Sequence, residues 1–143
     1  MHPNEAKLRR VHAAAFSQSE LPLEDQENAR RTIVEVFGGA KFTFFGDTVY
    51  CAQHTTPEDS WNKYATIQRL TAGTFREDLL GCCANDEMGC IWAMHRGELN
   101  GVAFAYPAVQ ISRFEAGVVK ETWEFFHPDH FRLWPKLEPA GDR

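Results

Sequence analysis

The order of periodicities in this sequence predicts an α+β fold, with N-terminal helices laid on one face of a curved antiparallel sheet. Three observations carry that prediction. Up to Leu70 most apolar residues recur at helical spacing; from Thr74 onward the period drops to two; and short turn-like segments separate the alternating runs, as in a β-meander. The chain has 143 residues, the length of one domain. That domain is expected over 1–134, with 135–143 as a flexible tail.

Asn4 is positioned to cap a first helix running from Glu5 to Phe16, with Leu8, Val11 and Ala15 on one face. Pro22 closes the link that follows. A second helix fits Leu23 to Phe37, where Ile33, Val36 and Phe37 repeat at helical spacing, and Gly38-Gly39 ends it. Thr48 to His54 reads as a strand. Thr55 or Thr56 with Pro57-Glu58-Asp59 makes a helix start, so a third helix is expected over Pro57 to Leu70. The alternating half divides into Thr74–Ala84, then Glu87–His95 turned at Arg96-Gly97-Glu98, then Asn100–Phe114. A three-residue connection at Glu115-Ala116-Gly117 leads to a last strand, Val118–Phe126.

Composition excludes several functions. Fifteen Lys and Arg against twenty Asp and Glu give a formal charge of −5, which argues against a polyanionic partner such as nucleic acid. No apolar run reaches the roughly 18–20 residues of a membrane-spanning helix, and no membrane association is expected. Four cysteines without CxxC spacing, two of them adjacent (Cys82, Cys83), read as reduced and mostly buried thiols and point to a cytoplasmic address. Aromatic residues reach 13%, so either the core is rich in rings or some of them line a cavity.

The second half also carries a resemblance. Leu70-Thr-Ala-Gly-Thr-Phe-Arg-Glu-Asp-Leu79, Ala84-Asn-Asp-Glu87, Pro107-Ala-Val-Gln-Ile-Ser-Arg-Phe114 and Gly117-Val-Val-Lys-Glu-Thr-Trp-Glu-Phe-Phe126, in that order and spacing, resemble the SnoaL-like family of the nuclear transport factor 2-like superfamily, which also holds ketosteroid isomerases and limonene-epoxide hydrolases. The resemblance spans about Asp47 to Trp134 and is best over the last two strands. It implies a strongly curved, cystatin-like sheet closed by helices around a conical apolar pocket. It also implies homodimers formed through the sheet. The first third departs from the pattern: the link over 17–26 is long, and Phe42-Thr-Phe-Phe-Gly-Asp47 replaces a common acidic pair.

Candidate site residues follow from both readings. Strand alternation alone groups Glu124 with Val118, Lys120, Thr122 and Phe126, opposite Trp123, and favours Trp123 inside and Glu124 in solvent. The resemblance reverses this, because Glu124 falls where SnoaL-like cyclases and limonene-epoxide hydrolases carry a catalytic Asp. Gln110, on the neighbouring strand, matches a cavity position and could orient a substrate carbonyl, or else belongs with Ser112 to a wet strand face. His54 could shuttle a proton near the pocket mouth or be a loop histidine. Tyr50, Trp61, Tyr64, Ser112 and Thr122 are the expected substrate-binding set. His95 before a turn reads as a cross-strand surface residue, and Asp47 as turn chemistry. His127-Pro-Asp-His130 has metal-like content, but Pro128 and the lack of a third local ligand weaken it, and no metal or other cofactor is expected.

The expected activity is a cofactor-independent cyclase, isomerase, dehydratase or epoxide hydrolase acting by general acid/base catalysis on a small hydrophobic molecule. The alternative is a non-catalytic small-molecule-binding or dimerisation module on the same scaffold.

Overall fold

A computed structural model of the chain describes residues 1–17, 21–52 and 56–138. Helix α1 (Pro3–Ala15) opens with a proline whose missing N–H costs nothing in the first turn. Its cap is His2 rather than Asn4: the ring Nδ1 of His2 accepts the Asn4 N–H at 3.1 Å. Asn4 is instead buried, and its amide donates to the Asn85 carbonyl at 3.0 Å, which ties the helix to the turn after the second strand. Leu8, Val11 and Ala15 form the buried stripe, as their spacing predicts. Helices α2 (Leu23–Phe37) and α3 (Pro57–Leu70) take the predicted bounds. Thr56 caps α3 by accepting the Asp59 N–H at 3.1 Å.

Among the described residues one sheet is formed by β1 (Lys41–Phe44), β2 (Arg76–Ala84), β3 (Met88–Leu99), β4 (Val102–Glu115) and β5 (Val118–Phe126), in the order β1-β5-β4-β3-β2. Four strands form the predicted meander. The sheet is mixed rather than antiparallel, because β1 lies parallel to β5, with Phe44 level with Glu124. The strand expected at 48–54 is not found in the described part. Val49–Cys51 is a single 3-10 turn, and Thr48 makes only an isolated bridge to Lys136. Thr48 is fully buried, with its hydroxyl 2.7 Å from His130 Nε2, so this segment serves the interior instead of a ladder.

The hairpins also differ from expectation. Strand β3 runs through Arg96-Gly97-Glu98 to Leu99, and the turn is Asn100-Gly101, with φ of 52° and 78°. Ala116-Gly117 joins β4 to β5 with φ of 49° and 78°, a two-residue turn and not three. Positive φ at both central residues is the signature of the hairpin turn whose twist matches the strands. Lys120 is an extra residue in β5, since Arg113 pairs with Glu121 and Phe114 with Val119. That bulge switches parity. Val119 is therefore buried alongside Thr122 and Glu124.

The helices cover the inner face of the sheet, where Ile91, Ala93, Phe104, Tyr106, Ala108 and Phe114 are buried. Each such large apolar side chain contributes about 1.5–3 kcal/mol by leaving water. Helix α4 (Pro128–Leu133) follows β5 and buries His130 against Tyr106, Phe126 and Trp134. A hydrogen-bond chain holds it. Trp134 Nε1–H donates to the Tyr106 hydroxyl at 2.6 Å, that hydroxyl shares a hydrogen bond with His130 Nδ1 at 2.7 Å, and His130 Nε2 shares one with the Thr48 hydroxyl. Burial lowers the His130 pKa to about 3, which keeps the ring neutral near pH 7. Beyond Trp134, Pro135 accepts the Val49 N–H at 2.8 Å and Leu137 donates to Asp47 at 2.7 Å, so ordered pairing reaches past residue 134. No helix in the described residues is long and apolar enough to cross a membrane.

Candidate active site

The inner face of the sheet brings Glu77, His95, Gln110 and Glu124 together in a largely apolar, ring-rich interior. Alternation along β3 buries Ile91, Ala93 and His95 together, so His95 is inside, 1% exposed, and not on the surface. Its cross-strand partner on β2 is Glu77. His95 Nε2 lies 2.6 Å from Glu77 Oε1 and 3.9 Å from Glu124 Oε1: a hydrogen bond to the first, and an electrostatic contact only with the second. Gln110 on β4 stands between Ile91 on β3 and Glu124 on β5 in the register.

Two adjoining hollows, each of about 60 Å³, open off these residues, and Phe16, Tyr50, Gln110 and Glu124 line both. The polar lobe adds His12, Glu77 and His95 over a floor of Ala93 and Ala108. The aromatic lobe adds Phe42, Phe44, Phe75 and the inward face of α3, namely Ser60, Lys63, Tyr64 and Ile67. Each lobe has room for a few waters. The wide cone expected for a hydrophobic metabolite is thus largely filled, against roughly 300–1,000 Å³ for drug-sized pockets. The filling is aromatic. The Tyr50 ring alone packs within 5.0–6.0 Å of Phe126, His130, Trp134, His95 and Phe75.

Electrostatics follow from that burial. Glu124 is 8% exposed. Desolvation raises its pKa from 4.5 to about 7; the Glu77 charge pushes the same way, while His95 and Lys63 pull against it. For His95, burial favours the neutral ring, but the Glu77 and Glu124 carboxylates outweigh it and raise the pKa. Lys63 is lowered from 10.5 to about 7, mainly by desolvation, with Glu124 opposing. Its Nζ donates to the Ala52 carbonyl at 3.2 Å and sits 3.1 Å over the Phe44 ring. Burial lowers His12 and keeps the Tyr50 phenol protonated. The site therefore offers a carboxyl and an amine that both exchange protons near neutrality, beside a carboxylate–imidazole pair.

The expected residues divide. Glu124, Gln110, Tyr50 and Tyr64 line the hollows. Ser112 and Thr122 do not: both are buried, and their hydroxyls pair with each other at 3.1 Å. Trp61 lines a separate surface groove with Leu21, Gln26 and Arg69. His54 lies outside the described residues. The sequence pattern does not single out Lys63, Glu77 or His12, and it places His95 on the surface. Two signals were available: the spacing Ser60, Lys63/Tyr64, Ile67 puts Lys63 on the buried face of α3, and parity with Ile91 and Ala93 puts His95 inside.

One ligand atom from each of Glu77, His95 and Glu124 lies within 4.8 Å of the others, so these three are the residues that could hold a metal ion. To do so, His95 Nε2 would have to give up its bond to Glu77. His127 and His130 do not converge on an ion: His127 caps α4, accepting the Asp129 N–H at 3.1 Å, and both His130 nitrogens are occupied. The cysteines form no disulfide; Cys51 is buried, Cys82 and Cys90 half-buried, and Cys83 exposed.

No protein-family model and no curated protein matches the sequence. Solved structures do match the fold. Bal32a, from a soil-derived mobile gene cassette, aligns with a TM-score of 0.74 at 20% identity, covering 92% of this chain and 96% of its own. An NTF2-like protein of unknown function from Burkholderia pseudomallei aligns at 0.72 and 14% identity, covering 94% and 98%. A proposed polyketide cyclase from Bacillus cereus aligns at 0.65 and 11% identity, covering 92% and 77%. At these identities the fold is what is shared, and it is the nuclear transport factor 2-like fold.

Proposed function

We propose that the chain is an acid/base enzyme that moves a proton on a small, mostly apolar substrate, with Glu124 as the transferring group and no cofactor needed for that step. The observation that carries this reading is Glu124 itself: a carboxyl buried at the junction of two hollows, its pKa raised to about 7. An ordinary surface carboxylate has neither the position nor the proton affinity for this at neutral pH. The His95–Glu77 pair sets the local charge from 3.9 Å away, and Gln110 can donate from its carboxamide to a substrate oxygen. Isomerisation, dehydration and cyclisation all begin with such a transfer, and the likeness to a proposed polyketide cyclase supports this class. The small hollows favour substrates of few heavy atoms.

The test uses proton exchange, which requires no knowledge of the physiological substrate. Small enolisable ketones and aldehydes are incubated with the protein in D₂O and followed by NMR. Wild type should exchange the carbon-bound proton, and Glu124→Gln should lose about 10²–10⁴ of that rate. Equal exchange by both proteins removes Glu124 from the role.

A second reading, association through the sheet, is favoured by one observation. The outer face carries exposed Phe45, Leu80, Trp92 and Phe125, with Phe45 and Phe125 stacked at 4.9 Å. Such a patch fits a second copy of this chain. A monomeric wild type in sedimentation at micromolar concentration would rule it out.

A further inference from the structure

We propose that Lys63 is a covalent capture residue, its amine condensing with the carbonyl of a small aldehyde or ketone held in the aromatic lobe. The inference rests on the acid/base reading of Glu124 and adds the substrate class. Three features of the lobe converge on it. Helix α3 turns Lys63 inward, and among the described residues no carboxylate lies within 4.0 Å of its Nζ to hold it as an ion pair. Its surroundings are the faces of Phe44 and Tyr50, at 3.1 and 5.2 Å, and one backbone carbonyl. Glu124 lines the same lobe and can exchange a proton there. An apolar wall favours the neutral amine, which is the nucleophilic form, and the lysine pKa near 7 agrees with this. Glu124, Cys51 and the π faces of Phe44 and Tyr50 all favour the ammonium, and desolvation outweighs them to free the amine.

The chemistry balances without an added reagent. The amine nitrogen attacks the carbonyl carbon, a C–N bond forms, the π electrons move to oxygen, and one proton passes from the nitrogen to that oxygen to give the carbinolamine. Glu124 protonates the carbinolamine hydroxyl, which leaves as water while C=N forms as the iminium ion, and Glu124 is left as the carboxylate. Return of the remaining N–H proton to Glu124 gives the neutral imine and restores the acid. The net reaction is amine plus carbonyl to imine plus water. In its protonated, iminium form the adduct acidifies the adjacent C–H, the bond the Glu124 carboxylate is proposed to break.

Trapping tests this directly. Wild-type protein is incubated with propanal or acetone at neutral pH and reduced with sodium cyanoborohydride, and alkylated lysines are mapped by peptide mass spectrometry. Lys63 should be modified on the order of tenfold faster than Lys7, Lys41, Lys120 and Lys136, because a far larger fraction of it is neutral. Lys63→Arg should lose that fast modification only. Modification of Lys63 no faster than that of the other lysines overturns the proposal, and because it is read in the wild type, misfolding of a variant cannot imitate it. Glu124→Gln separates the two readings. Slower trapping at an intact Lys63 supports both; unchanged trapping leaves Lys63 standing and rejects Glu124 as the proton source.

Discussion

Replacing Glu124 with Gln removes a charge while keeping the side chain's shape, and the effect on stability can be worked out in sign and size. The carboxyl is moved from 4.5 to about 7 in the folded protein, which corresponds to roughly 3 kcal/mol. Between those values the folded chain keeps a proton that the unfolded chain has released. Stability therefore falls as pH rises through the window, and the whole loss is present above it. Glutamine does not titrate. Relative to wild type, the variant should gain roughly 3 kcal/mol of stability on going from about pH 4.5 to about pH 8. Part of the gain returns through Lys63, whose proton Glu124 helps to hold. The same comparison in a Lys63→Met background isolates the carboxyl. The assay is urea unfolding at both pH values, with m-values checked for constancy. Wild type and variant losing stability in parallel would refute the reasoning.

Other substitutions probe the hydrogen-bond chain, the hairpin turn and the outer sheet face. Tyr106→Phe breaks the chain from Trp134 to His130 and leaves the buried Trp134 N–H and His130 Nδ1 without their shared partner, so it should cost about 2–4 kcal/mol in denaturant unfolding. Gly101→Ala isolates backbone conformation from packing, because a Cβ there meets nothing within 4 Å while φ is +78°; a loss of about 1 kcal/mol is expected, and no loss would contradict the assigned turn. Trp92→Glu on the outer face should shift a dimer to monomer in sedimentation while leaving proton exchange intact within each subunit.

Much of the fold was legible because it rests on local signals. The stripe Leu8, Val11, Ala15, the Thr56 cap and the period-two runs each give their element without reference to the rest of the chain. The missed features depend on distant partners. Lys41–Phe44 becomes a strand only by lying parallel to β5, eighty residues later in the chain, and Thr48 turns inward because His130 waits there. The site shows the same division. Bare alternation put Trp123 inside and Glu124 outside; the structure buries Glu124 and leaves Trp123 half-buried. The resemblance supplied the right face where local pattern could not, since the bulge at Lys120 resets parity along β5. Asn100-Gly101 was a strong turn signal, and reading Arg96-Gly97-Glu98 in its place cut β3 short and pushed His95 toward the surface. The ring content had two readings and both hold: Phe42, Phe44 and Tyr50 belong to the core and also line the hollows.

The proposed chemistry depends most on the proton affinity of one carboxyl. Selective ¹³C labelling of glutamate side chains, with Glu124→Gln used to assign the resonance, allows the Glu124 carboxyl to be titrated by NMR in the folded protein. A midpoint near 7 is the expected result, and a midpoint near the ordinary 4.5 would contradict Glu124 as the acid/base of this site.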